Sequence, residues 1–135
     1  MSEQENVRLI QAFFDAFSRG DITAVLGFCA EDFALQHPMP EGSWPGAGNL
    51  QGKRSFAEFI EGMVGVLDFE VLELREFIAQ GEKVVVNLFE HVRSKATGRA
   101  FDNDYIHIFT VREGKIRASR TFEDTAPILA AMRLA

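Results

Sequence analysis

Residues 101–124 read FDNDYIHIFTVREGKIRASRTFED, two runs of strand formers joined by a tight turn at Arg112-Glu113-Gly114-Lys115. Strand side chains alternate, so Asn103, Tyr105, His107, Phe109 and Val111 share one face of the first run, and Asp102, Asp104, Ile106 and Ile108 share the other. Gly114 supplies the positive φ that a short hairpin loop needs. The second run follows with Ile116, Ala118 and Phe122. An aromatic face into which Asn103 and His107 are set is the lining that a ligand pocket requires.

Composition bounds the rest. A chain of 135 residues, 47% hydrophobic and 25% charged, is expected to form a single domain over 1–135 with one core. Thirteen Phe against one Tyr and one Trp can fill that core or line an apolar cavity. A net charge of −6 with no basic stripe gives nucleic acid and anionic membrane no electrostatic footing as partners. No stretch approaches the roughly 18 apolar residues of a membrane span, and MSEQENVRL lacks a targeting pattern. The lone Cys29 excludes an internal disulfide and fits a reducing, cytoplasmic setting.

Outward from the hairpin, Val7, Ile10, Phe14 and Phe17 recur at helical steps within 3–19, with Leu9 and Phe13 beside them. Gly20 stops this helix, and Asp21 caps a short second one over Ile22 to Cys29, which places Cys29 on its apolar side as an inert thiol. Asp32 to His37 alternates as a strand that Pro38 and Pro40 end. Residues 38–52, PMPEGSWPGAGNLQG, form one long irregular loop. In it Trp44 either folds over a pocket or plugs the edge of the core. Ser55-Phe56-Ala57-Glu58 carries a capping-box pattern for a third helix bearing Phe59 and Met63. Strands follow over 68–79 and 83–93. Glu90 shares a face with Val84, Val86, Leu88 and Val92, at a solvated edge or in a pocket that raises its pKa, the edge being favoured. His91 alternates away from Glu90, to the surface. Thr125 caps a last helix with Pro127 in its first turn.

Several of these stretches match a family: Gly20-Asp21 after the Phe pair, Ala30-Glu31-Asp32-Phe33, Trp44-Pro45-Gly46, Gly81 to Val86, Tyr105 to Val111 with Gly114-Lys115-Ile116, and Phe122-Glu123-Asp124. Together they resemble the SnoaL-like branch of the NTF2-like superfamily, which also holds ketosteroid isomerase, limonene epoxide hydrolase and polyketide cyclases. The resemblance implies an α+β cone: a curved antiparallel or mixed sheet, three N-terminal helices on its concave side, and a homodimer formed through the sheet. Carried over by position, the isomerase base falls on His37, its tyrosine on Phe13 and its sheet aspartate at or beside His107. The hydrolase triad falls on Glu90, Leu88 and Thr121, which removes its arginine. The cyclase histidine falls on His107, with the acid near Thr121.

The expectation is therefore a cavity in which His107, Glu90 and His37 are catalytic. Phe13, Phe17, Trp44, Phe59, Met63, Asn103, Tyr105, Phe109 and Thr121 would bind a small hydrophobic molecule. No cofactor and no metal are expected, since no ligand spacing or phosphate loop is present. The activity implied is acid-base isomerisation, cyclisation or hydrolysis of a small carbonyl or ring compound. The alternatives are a non-catalytic binder or a dimerisation module on the same fold.

Overall fold

The computed structural model describes residues 2–133. Helix α1 (Glu3–Ser18) opens on a capping box: Ser2 Oγ accepts from the Glu5 amide at 3.0 Å, and Glu5 returns a carboxylate to the Ser2 amide. It buries Ile10, Phe13, Phe14 and Ala16. Asp21 caps α2 (Ile22–Gly27) through the Ala24 amide, as the sequence implied. That helix stops two residues short of the expected end. Cys29 instead begins β1 (Cys29–Gln36), drawn into the sheet by register pairing with Ile116, whose amide donates to Phe28. The thiol is buried, and desolvation pushes its pKa up to about 12, so the expected inertness has a strand rather than a helix behind it.

The loop after β1 contains a two-residue strand, β2 (Leu50–Gln51), antiparallel to β1. The Gly52 amide donates to Phe33 O at 2.6 Å, which starts α3 (Lys53–Val66) before the pattern at 55–58 can act as a cap. Ser55 lies inside the first turn, and no side chain caps this helix. Strands β3 (Leu67–Gln80), β4 (Lys83–Ser94), β5 (Ala100–Arg112) and β6 (Lys115–Phe122) then form a meander. The order across the sheet is β2-β1-β6-β5-β4-β3, with β1 and β6 parallel and every other pair antiparallel. At α4 (Ala126–Met132) the expected Thr125 cap is replaced by Asp124, whose Oδ1 accepts from the Ala126 amide.

Bulges decide which residues reach the inside. Two in β3, between Phe69 and Val71 and between Leu74 and Glu76, bend the edge of the sheet. A third lies in β6: Thr110 faces Ala118 but Val111 faces Ile116, so Arg117 is the extra residue. Ile116 points inward before it, and Ser119 and Thr121 do so after it. Phe122, expected on the same side as Ile116, is therefore 48% exposed, and Glu123 turns in. Helices α1 and α3 close the concave side over an aromatic core. There Phe13 packs edge-on against Phe14 and Phe109, and Phe33 lies 4.5 Å from Phe56.

Candidate functional site

The cone encloses a cavity of about 90 Å³ lined mainly by aromatic and aliphatic side chains, several times the roughly 10–15 Å³ that one water needs. The expected lining residues Phe13, Phe17, Trp44, Phe59, Met63, Tyr105, Phe109 and Thr121 all border it, as do His37, Glu90 and His107. Asn103 does not; it is buried behind the lining and reaches the site through its amide. Three further polar or flexible side chains that the sequence does not assign to the site also border it: Met39, Ser119 and Glu123.

Glu90 settles inside rather than at the edge that its sequence position favoured. The β4 residues that share its face, Val84, Val86, Leu88 and Val92, are all at zero exposure, so that face has no solvated rung there. Asn103 directly opposite on β5 donates its amide to Glu90 Oε1 at 3.1 Å and to Glu123 Oε2 at 2.7 Å. An amide NH2 has two hydrogens, so one side chain ties two carboxyl groups together. Tyr105 donates its hydroxyl to Glu90 Oε2 at 3.1 Å. Burial raises both carboxyl pKa values to about 7 against the lowering effect of these bonds, and Glu90 adds charge repulsion on Glu123. Burial and the two carboxylates hold the Tyr105 hydroxyl well above its ordinary range, so it stays a donor.

The histidines are set differently. His37 sits just past β1 with only 9% of its side chain exposed, wedged against Trp44 and Phe59. Its Nδ1 accepts the Met39 amide at 3.3 Å, so in the neutral ring the proton rides on Nε2, 3.3 Å from Glu123 Oε1. Desolvation pushes its pKa down to about 4. His107 stacks on Phe109 and places Nδ1 at 3.0 Å from Ser119 Oγ and 3.2 Å from Thr121 Oγ1. Burial, with a smaller push from His37, lowers its pKa to about 3. Both rings are therefore neutral hydrogen-bonding groups at pH 7, and it is the carboxyl pair that titrates there. His91, as expected, lies on the opposite face, bonded to Asp102 with Glu70 3.3 Å from its Nε2.

Among the described residues, no Lys or Arg borders the cavity. None of their His, Cys, Asp and Glu side chains form a group suited to a metal ion, and no helix is long and apolar enough to cross a membrane.

A curved sheet closed by helices around an apolar cavity defines a protein of the NTF2-like class, and comparison with known proteins agrees. The family model described as a SnoaL-like domain matches residues 10–119: the chain belongs to the SnoaL-like family. An NTF2-like protein from Burkholderia xenovorans LB400 is 36% identical, with a TM-score of 0.87 over 98% of each chain. An NTF2-like protein of unknown function from Burkholderia pseudomallei K96243 is 25% identical, also with a TM-score of 0.87 over 98% of each chain. TerC, co-crystallised with polyporic acid, is 27% identical, with a TM-score of 0.81 over 96% of this chain and 98% of that one. Comparison with curated proteins finds no match.

Proposed function

We propose that the protein catalyses cofactor-independent proton transfer on a small hydrophobic carbonyl or ring compound held in the cavity, as an isomerase, cyclase or hydrolase. The observation that carries this reading is the pair Glu90 and Glu123, buried in an aromatic cavity and joined by Asn103. With both pKa values near 7, the pair holds about one proton at neutral pH, so one group is an acid while the other is a base. A carboxylate takes a proton from carbon beside the carbonyl. The oxygen, as negative charge builds on it, is met by the neutral carboxyl and by His107 Nε2–H, with one hydroxyl, that of Ser119 at 3.0 Å, donating to Nδ1. His37, assigned as a base by position in the sequence reading, here orients Glu123. The likeness to TerC, which was crystallised with an organic acid, supports the ligand side of the reading. The reading also has the chain act as a single cytoplasmic domain that dimerises through the outer sheet face, where Ile78 and Phe122 are exposed.

A non-catalytic binder is favoured by one observation: the carboxyl pair already accepts from Asn103 and Tyr105. Cyclohexanone in buffered D2O separates the two. A catalyst accelerates exchange of the hydrogens beside the carbonyl, followed by proton NMR, and Glu123→Gln removes the acceleration. Exchange at the buffer rate across a panel of ring ketones that bind would leave the binder.

A further inference from the structure

Tyr105, the single tyrosine of the chain, gives its hydroxyl to one member of the carboxyl pair. Asn103 treats the two evenly, with one amide hydrogen for Glu90 Oε1 and one for Glu123 Oε2. Tyr105 breaks that symmetry by donating to Glu90 Oε2 at 3.1 Å. Both oxygens of Glu90 thus accept a hydrogen bond, whereas at Glu123 only Oε2 does; its Oε1 lies 3.3 Å from His37 Nε2 without a hydrogen bond between them. A carboxylate holds a donor more strongly than a neutral carboxyl does, so the group with more donors ionises first. Glu90 could carry the proton only by weakening one of its two bonds. Charge on Glu90 then holds the proton on Glu123 by repulsion. No other charge competes inside. Helices α1, α3 and α4 and strand β3 present only apolar side chains to the cavity, Phe17, Met63, Ile128 and Leu72 among them, and the remaining titratable groups there are the neutral rings of His37 and His107.

We propose that Tyr105 is a positioning residue whose hydroxyl fixes Glu90 as the ionised member of the pair, the base, and leaves the shared proton on Glu123, the acid. The inference rests on the carboxyl pair being the proton-transfer site proposed above. Because the chain has one tyrosine, biosynthetic replacement of tyrosine by 3-fluorotyrosine alters residue 105 alone and gives it a more acidic, better-donating hydroxyl. Tyr105→Phe keeps the ring and removes the donor. The side-chain carboxyl carbons of Glu90 and Glu123 are followed by carbon-13 NMR against pH, each assigned by its Gln variant. In the wild type, Glu90 is expected to ionise first as pH rises. In Tyr105→Phe its midpoint is expected to rise by roughly one pH unit and that of Glu123 to fall, so that the order inverts. In the fluorotyrosine protein the Glu90 midpoint is expected to fall instead, and a purely structural role for the ring would not move it in opposite directions. Glu123 ionising first in the wild type, or a Glu90 midpoint that stays in place in both altered proteins, overturns the role of Tyr105; with both carboxyls still titrating near pH 7, the pair itself stands. Titration of both near 4.5 in the wild type overturns the two together.

Discussion

Glu90 opposite Asn103 and His91 opposite Asp102 are adjacent rungs of the same two strands, and their fates differ entirely. The first faces inward, where a carboxyl is cut off from bulk solvent, so its environment raises its pKa to about 7 and ties it to Glu123 through an amide. The second faces outward, where His91 meets Asp102 at 2.6 Å and Glu70 at 3.3 Å, with Arg93 beside them. Those outer pairs are half-exposed, and solvent-screened pairs of this kind contribute about 0–1 kcal/mol. Similar residue types one position apart thus become a proton-transfer site on one face and a solvated network on the other. The pleat, not the composition, makes the difference.

The comparison breaks most visibly in catalysis. Glu90→Gln or Glu123→Gln is expected to slow hydrogen exchange into cyclohexanone by roughly 10²–10⁴-fold, while Asp102→Asn leaves the rate unchanged; equal losses on both faces would dissolve the distinction. Asn103→Leu strips a donor from each carboxyl and is expected to cost about 2–3 kcal/mol in urea unfolding. The cost should be larger at pH 8 than at pH 5, because only the ionised carboxyls need the amide.

Two glycines of α3 make a smaller, signed test. A Cβ at Gly62 would meet Pro45 and Trp44, whereas at Gly65 nothing lies within 4 Å. Gly62→Ala should destabilise by about 1–3 kcal/mol through overpacking, and Gly65→Ala should stabilise by about 0.5–1 kcal/mol through helix propensity. Gains at both positions would mean that the Trp44 loop is not seated as described.

The pH dependence follows from opposed groups. Glu90 and Glu123 rise from 4.5 to about 7 on folding, so their stabilisation is complete below pH 4.5 and is lost as pH climbs towards 7. His37 and His107 fall from 6.5 to about 4 and about 3, so theirs is complete above 6.5 and is lost on acidification. Between pH 4.5 and 6.5 the two trends oppose. The urea midpoint of the wild type should be nearly flat there, and that of the double variant Glu90→Gln/Glu123→Gln should drop steadily with acid; parallel curves would contradict the assignment. The smallest effect is expected of His91→Ala, within about 0.5 kcal/mol of wild type by the same unfolding measurement.

Much of this was legible from the residues. Alternation along 101–111 placed Asn103, Tyr105, His107 and Phe109 on one face, and helical spacing placed Phe13, Phe17, Phe59 and Met63 towards it. Glu123 was hidden because the parity of β6 changes at Arg117. Counted without the bulge, Phe122 points in and Glu123 points out, and no local pattern announces an extra residue. Alternation along β4 leaves Glu90 between rim and pocket for a related reason, since whether a carboxylate among valines is at a rim depends on what covers the strand. The early start of α3 and the strand position of Cys29 come from pairing with distant residues, Phe33 with Gly52 and Ile116 with Cys29. Short-range capping and helical signals lost to those long-range bonds.

The most direct measurement is a carbon-13 NMR titration of the glutamate side-chain carboxyls, assigned with Glu90→Gln and Glu123→Gln. Two resonances titrating near pH 7, with removal of Glu90 lowering the midpoint of Glu123, are what the buried, coupled pair requires. Both resonances titrating near 4.5 would contradict it, and the proton-transfer site with it.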